Sequence, residues 1–238
     1  MAPWYKRALS RTISQVMRLS ARVLAAARVD MAVTGLEHVP ASGPALLVAR
    51  HYHHLLDGVV LLTALPRPIH ILVTLDWVKR SYARRLLGLA TAMARWPVVR
   101  RGGAPAGERH VTAGDQRRGL DESVEILVEG RVLVVFPEGY PNIDPHYTPK
   151  TQPEEMLPFK HGFAVIAAAA EKRLGTRVPI IPAGFHYTKH GWWTVRLRIG
   201  EAIYMEDFSS RQLLVAHLER RVAELSGSVA AGSALEGS

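Results

Sequence analysis

Short apolar runs that alternate with longer helical patterns are the feature that most limits how this chain can fold. The apolar runs lie at 44–49, 70–74, 96–99, 132–136, 178–185 and 195–199, and candidate helices lie at 55–65, 77–93, 113–129 and 159–173. Such short runs are typical of strands buried on both faces, and the helices between them can cover a sheet. The pattern predicts one α/β domain over residues 32–225, with a mostly parallel, mixed central sheet flanked by helices.

A basic segment, residues 1–31, precedes this predicted domain. Its basic residues are Lys6, Arg7, Arg11, Arg18, Arg22 and Arg28, and residues 1–29 contain no acid. Its apolar residues Ile13, Val16, Met17, Val23, Leu24 and Ala27 recur at helical spacing, with Arg11, Arg18 and Arg22 on the opposite side. This pattern is typical of a helix that lies on an anionic membrane surface. The alternative is a helix that packs on the domain with its charges in water.

The charge of the whole chain also indicates an anionic partner. The formal net charge is +9 and the pI is near 10.2, which suits a nucleic acid, an acidic carrier or a phospholipid surface. The longest apolar stretches, 58–65 and 163–170, are shorter than the roughly 20 residues that span a bilayer, and arginines interrupt any secretory signal. We therefore expect a peripheral protein on the cytoplasmic face of the cell membrane. Residues 226–238, rich in Gly, Ser and Ala, are expected to form a flexible tail.

Three histidines and one carboxylate follow the first apolar run of the predicted domain. Residues 49–58 read Ala-Arg-His-Tyr-His-His-Leu-Leu-Asp-Gly. An imidazole held by a carboxylate can act as a general base, because the carboxylate fixes the ring tautomer and stabilises the imidazolium that forms. This block predicts chemistry, with a histidine of the group 51–54 as the base and Asp57 as its partner. The chain has no cysteine, which excludes disulfides, thiolate metal ligands and a cysteine nucleophile.

Three further blocks follow in order. Residues 95–102 read Arg-Trp-Pro-Val-Val-Arg-Arg-Gly, residues 134–139 read Val-Val-Phe-Pro-Glu-Gly, and residues 178–184 read Val-Pro-Ile-Ile-Pro-Ala-Gly. Together with the His/Asp block, this ordered set resembles the glycerolipid acyltransferase family, the 1-acylglycerol-3-phosphate acyltransferases and related lysophospholipid acyltransferases. The resemblance covers about residues 33–205.

The resemblance implies an α/β fold and transfer of an acyl group from a thioester to a hydroxyl. Carried over residue by residue, it implies His51 or His53 with Asp57 as catalytic residues. Three candidate substrate-binding residues, Arg101, Lys160 and His54, are suggested by this sequence itself, whereas the resemblance implies Arg100, Glu138 and Gly139, with Pro182 shaping the pocket. It implies no cofactor or metal. The expected partners are acyl-coenzyme A or acyl carrier protein, a lysophospholipid acceptor and an anionic membrane surface, with no nucleic acid, because nucleic-acid binding explains the charge but not the four blocks.

Two positions depart from the family pattern. The family places four residues between His and Asp, whereas His51 and Asp57 have five between them, with Tyr52 in the position that would fit. Either a one-residue bulge brings His51 to Asp57, or His53 reaches Asp57 across one helical turn. Glu138-Gly139 continues as Tyr-Pro-Asn where the family carries Thr-Arg-Ser. The missing arginine predicts that Arg100, Arg101, Lys150 or Lys160 replaces it at the acceptor phosphate, or that the acceptor has no phosphate there.

Two other interpretations are open at this point. His51, His53, His54 and Asp57 are of the residue types that bind metals, which allows a metal-dependent hydrolase. The shifted spacing also allows a lipid-binding protein that kept the fold without the activity. The proline-rich segment 141–158 is expected to be an ordered loop or a lid.

Overall fold

A computed structural model of the chain describes residues 4–53, 55–75, 78, 80–99, 113–142, 148–152 and 155–227; residues 4–11, 14, 28, 113, 115 and 116 are described as backbone alone. In this part of the chain, one sheet is formed by the strands β1 (Val29–Thr34), β2 (Ala45–Ala49), β3 (Ile69–Ile71), β4 (Val132–Val135), β5 (Ile180–His190) and β6 (Trp192–Ile199). The strand order is β1-β6-β5-β2-β4-β3. The β5–β6 pair is antiparallel and the other neighbours are parallel.

Helices cover both faces of this sheet. They are α1 (Trp4–Arg28), α2 (Leu56–Ala64), α3 (Ser81–Ala94), α4 (Ala113–Val128), α5 (Gly162–Leu174) and α6 (Arg211–Ser226). In β2 the side chains of Leu46 and Val48 enter the core that includes residues of α4, α5 and α6. Leu47 lies on the other face, in the core that includes residues of α2. Both faces of β2 are therefore buried, which explains its uninterrupted apolar sequence.

The predicted α/β architecture with a mixed, mostly parallel sheet is confirmed. The predicted strand 96–99 is wrong, because within it Val98 makes only an isolated bridge to Val73. Two elements were not predicted: the edge strand β1, which begins at Val29 within the segment assigned to residues 1–31, and the C-terminal helix α6. Of the expected tail, residues 228–238 lie outside the described residues.

Helix α1 is the N-terminal helix that the sequence predicts. Its small residues Ala21 and Ala25 are buried in a cluster with Val59 of α2. The side chain of Arg18 turns to the domain and donates to the carbonyl of Leu65 at 2.6 Å, at the C-terminal end of α2, where a cation complements the helix dipole. None of the described helices is long and apolar enough to cross a bilayer.

Candidate active site

The carboxyl ends of two neighbouring parallel strands bring the His/Asp block and the 134–139 block together. Strands β2 and β4 pair with Val48 opposite Val135, so the loops that follow them lie side by side. Ligand sites of open α/β sheets lie at such an edge. The contact between the two loops is direct, because the backbone N–H of His51 donates to Glu138 Oε1 at 3.1 Å.

Asp57 is the centre of this arrangement. It lies in the first turn of α2, and its side chain has no exposed surface. Its Oδ2 atom accepts from His51 Nδ1 at 2.8 Å and from the backbone N–H groups of Tyr52 and His53 at 2.8 and 3.0 Å. Because a carboxylate oxygen can only accept, His51 carries its proton on Nδ1 and leaves Nε2 as the basic nitrogen.

The extra residue between His51 and Asp57 is absorbed by the loop. Two successive backbone N–H groups, those of Tyr52 and His53, turn inward to the same carboxylate oxygen that His51 meets. The His51 ring stacks on Phe136 with the ring centroids 4.4 Å apart. The structure thus brings the ring of His51 to Asp57, as the bulge interpretation requires.

His53 lies beside this pair in another role. Its Nδ1 atom accepts from the backbone N–H groups of Leu55 and Leu56 at 3.3 Å, at the start of α2. Such acceptors satisfy the N–H groups that a helix leaves unpaired at its first turn. His53 therefore contacts the helix N-terminus with its ring and Asp57 with its backbone. His54 lies outside the described residues.

Tyr187, on β5, is a further hydrogen-bond partner of Asp57, and the sequence did not predict this role. Its hydroxyl donates to Asp57 Oδ1 at 2.6 Å, and its ring stacks on that of Tyr52 with the centroids 4.5 Å apart. Burial, together with the charge of Asp57, raises the pKa of Tyr187 well above its usual value. The signal that could have found it is the period of two in β5, which places Ile181, Ala183, Phe185 and Tyr187 in the same core.

Glu138 ties three segments of the chain together. Besides the His51 N–H, its carboxylate accepts from the Leu157 N–H at 2.9 Å and from Lys150 Nζ at 2.5 Å. Lys150, whose side chain is 1% exposed, also donates to the side-chain oxygen of Asn142. Burial lowers the pKa of Lys150, and the charge of Glu138 opposes that change. The ion pair fixes part of the proline-rich segment against the site.

An apolar cavity of about 520 Å³ adjoins His51. His51, Phe136 and Gly139 form part of its wall, and apolar residues of α1, α2 and α3, such as Ala21 and Leu62, form much of the remainder. A volume in this range suits a small ligand or a lipid chain. The side chain of His51, which carries the basic nitrogen, therefore faces a space suited to an apolar substrate.

Comparison with known proteins identifies the family. A family model described as Acyltransferase matches residues 30–186. The chain belongs to the acyltransferase family. The crystal structure of the 1-acyl-sn-glycerophosphate (LPA) acyltransferase PlsC from Thermotoga maritima has a similar fold, with a TM-score of 0.58 and 21% identity over 92% of this chain and 79% of that one. No curated protein matches the sequence significantly.

Membership of the acyltransferase family confirms the resemblance predicted from the four blocks and makes acyl transfer the reaction class. Tyr187 lies one residue beyond the matched range and outside the four blocks. Asn142, where this acyltransferase departs from the motif, donates its backbone N–H to the carbonyl oxygens of His51 and Tyr52 at 3.2 and 2.9 Å. These bonds come from the backbone of residue 142, so they stabilise the His/Asp loop without depending on the asparagine side chain.

The predicted phosphate ligands have different positions in this acyltransferase. Arg100 and Arg101 lie outside the described residues. Lys150 is buried and paired with Glu138, so its ammonium is already engaged. Lys160 is exposed, and its Nζ lies 2.9 Å from the point that a Cβ on Gly139 would occupy. Lys160 is therefore the described candidate that combines an accessible cation with a position next to Gly139 of the cavity wall.

Proposed function

We propose that the protein transfers a fatty acyl group from a thioester donor, acyl-coenzyme A or acyl carrier protein, to a hydroxyl of a glycerol-phosphate-type lipid such as lysophosphatidic acid, in phospholipid biosynthesis. The observation that carries the proposal is the His51–Asp57 pair at 2.8 Å beside an apolar cavity. The fold that the chain shares with a 1-acyl-sn-glycerophosphate acyltransferase supports the choice of acceptor.

In this reaction His51 Nε2 takes the proton of the acceptor hydroxyl while Asp57 holds Nδ1–H and stabilises the imidazolium. The alkoxide oxygen attacks the thioester carbonyl carbon, a C–O bond forms, and the C–S bond breaks as the tetrahedral intermediate collapses. The imidazolium returns its proton to the departing sulfur, so that free thiol and ester are the products. Glu138 takes no proton in this scheme, since its contacts fix the loop that carries His51.

The cavity holds the acyl chain. Its wall consists mainly of aliphatic side chains, including Val59 and Leu62 of α2 and Leu87 of α3. Each methylene that leaves water contributes about 0.8 kcal/mol, so a chain of many carbons binds there without a polar contact. The reacting carbonyl then lies at the His51 end.

The acceptor phosphate binds the basic residues near Gly139. Lys160 is the described candidate, and Arg100 and Arg101 are its predicted companions. The partner of helix α1 is an anionic membrane surface, on the cytoplasmic face of the cell membrane. The helix combines exposed apolar residues such as Val16 and Val23 with basic residues and contains no acid. His54 is a further predicted substrate contact.

A thiol-release assay tests the proposal. Purified protein receives an acyl thioester with lysophosphatidic acid, with a lysophospholipid that lacks a terminal phosphate, or with no acceptor. Acceptor-dependent release of thiol and formation of diacyl product support the proposal; release at the same rate without acceptor indicates a hydrolase, and no release indicates a non-catalytic lipid-binding protein.

Lys160→Gln tests the phosphate site. It should raise the KM for lysophosphatidic acid and leave the KM for the thioester unchanged. Lys172→Gln is the matched control. Lys172 lies in the last turn of α5, the helix that follows Lys160, and its replacement should change neither KM value. Equal KM values for wild type and Lys160→Gln would remove Lys160 from the acceptor site.

A further inference from the structure

Helix α3 presents an apolar stripe to solvent. Tyr82, Leu86, Leu89 and Met93 follow one another at intervals of four, three and four residues, which places them on one side of the helix. They are 42 to 67% exposed, whereas the residues of α3 that are buried are the small Thr91 and Ala94. The helix therefore turns these four large apolar side chains to the surface, whereas Leu87 lines the cavity beside His51. A contiguous exposed apolar patch of this kind marks an interaction surface.

Helix α1 continues this surface. It lies against α3 and α2, with Ala21 and Ala25 as its buried contacts. Its large apolar residues Val16, Leu19 and Val23 are 58 to 64% exposed. Among the side chains that the structure describes on these two helices, the fully buried ones are small and most of the large apolar ones are exposed. Because the helices are in contact, these outward apolar residues form one face. We call this set of residues on α1 and α3 the α1/α3 face.

The charge around the α1/α3 face indicates what covers it. Neither α1 nor α3 contains Asp or Glu. Arg22 of α1 and Arg85 of α3 are exposed, and so is Arg80, which precedes α3 and donates to the Tyr82 hydroxyl at 2.9 Å. An apolar face on two helices with arginines and no acids suits a bilayer that contains anionic lipids. The lipid chains contact the apolar residues, and the anionic headgroups bind the arginines.

The cavity beside His51 opens onto the same face. Val16, Leu24 and Leu55 line the cavity and are also among the exposed large apolar residues of the described chain. Its wall also includes Leu87 and Ala90 on α3. A lipid chain that enters between α1 and α3 therefore passes from one apolar environment to another without crossing water.

We propose that α3 is a second membrane-docking element, and that the α1/α3 face seats the cavity mouth on an anionic bilayer so that lipid chains enter the His51 cavity directly from it. The proposal rests on the proposed function, since it concerns access to the same site. It adds α3 and the lipid route, neither of which the motif blocks or the basic N-terminal segment indicates.

The test uses the full chain with Leu86→Glu and Leu89→Glu combined. Both side chains are exposed and neither lines the cavity, so the fold and the soluble reaction should survive. Leu213→Glu, at a leucine of α6 that is 54% exposed, is the control for placing a glutamate on an exposed helix position elsewhere. Each protein is sedimented with vesicles of phosphatidylcholine alone and of phosphatidylcholine with phosphatidylglycerol, and its thermal unfolding is measured.

The double variant should lose at least tenfold in affinity for the phosphatidylglycerol vesicles, while Leu213→Glu binds like wild type. Its rate with an acceptor embedded in vesicles should fall by a similar factor, and its rate with a water-soluble short-chain thioester and acceptor should stay unchanged. Wild-type vesicle binding by the double variant would overturn the proposal. Conversion of a dimer to a monomer, or loss of affinity for acyl carrier protein, with vesicle binding intact would instead assign the face to that partner. The sedimentation result does not depend on turnover, so a protein that binds vesicles through α3 but transfers no acyl group would refute only the proposed function.

Discussion

Replacing Asp57 with asparagine isolates the charge of the carboxylate from its geometry. Three donors meet Oδ2, two of them backbone N–H groups that cannot accept. The single side-chain oxygen of the asparagine must therefore take the Oδ2 place, and its amide donates to the Tyr187 oxygen, which can accept as well as donate. His51 keeps the same tautomer in this Asp57→Asn variant.

The expected loss of activity follows from the charge alone. Two unit charges about 4 Å apart interact by about 4 kcal/mol at an effective dielectric constant of 20, and about 1.4 kcal/mol corresponds to tenfold in rate. The upper limit is therefore about 10³, and we expect about 10² to 10³ because the imidazolium is only partly formed in the transition state. This is less than the roughly 10⁴ seen in the serine-protease triad, where the same change forces the wrong tautomer.

Acceptor-dependent thiol release measures the effect, and thermal unfolding shows whether the variant is folded. Activity close to that of wild type would refute a role for the Asp57 charge. A folded variant with a loss well above 10³ would refute the argument that the backbone donors preserve the orientation of His51.

Three further predictions concern buried or strained groups near the sheet. Burial and the charge of Arg131 lower the pKa of His70 to about 4. Between pH 6.5 and 4 the unfolded chain therefore binds a proton that the folded chain does not, and the free energy of unfolding should fall by up to about 3 kcal/mol as the pH falls. Urea unfolding at several pH values should show this slope, and His70→Gln should remove it. Lys150→Met leaves the Glu138 carboxylate buried without its cation and should cost about 3–5 kcal/mol. Adding Glu138→Gln should recover part of this loss, but not all of it, because a glutamine has one acceptor oxygen for the N–H groups of His51 and Leu157; additive losses would contradict this. Gly139 has a φ of +76°, so Gly139→Ala should destabilise the fold by about 1–2 kcal/mol in the same assay, and an unchanged midpoint would argue against strain there.

The central sheet was predictable because strands that are buried on both faces consist of uninterrupted apolar residues. The strand β1 was missed although its residues alternate between more and less buried positions, because it follows α1 without a turn. Helix α6 was missed although Ser210 caps it, accepting from the Leu213 N–H at 3.3 Å. Both signals are present in the sequence, but they are weaker than a continuous apolar run.

The candidate site was predictable only as a set of residue types. The spacing did not decide whether His51 or His53 contacts Asp57. The loop that brings His51 to Asp57 is fixed by hydrogen bonds from backbone N–H groups to the Asp57 side chain, and no residue pattern predicts such bonds. Tyr187 is 130 residues from Asp57 in the chain and lies outside every motif block. Lys150 was one of four basic residues considered for the acceptor phosphate, and its burial with Glu138 has no sequence signal since buried lysines are rare.

The most direct test of the account compares His51→Ala with His53→Ala in the acceptor-dependent thiol-release assay. The account predicts that His51→Ala abolishes transfer while the protein remains folded. His53→Ala, which removes a ring that accepts from the N–H groups at the start of α2, should keep most of the wild-type rate with a lower unfolding temperature. Transfer that survives in His51→Ala and disappears in folded His53→Ala would contradict the assignment of His51 as the base.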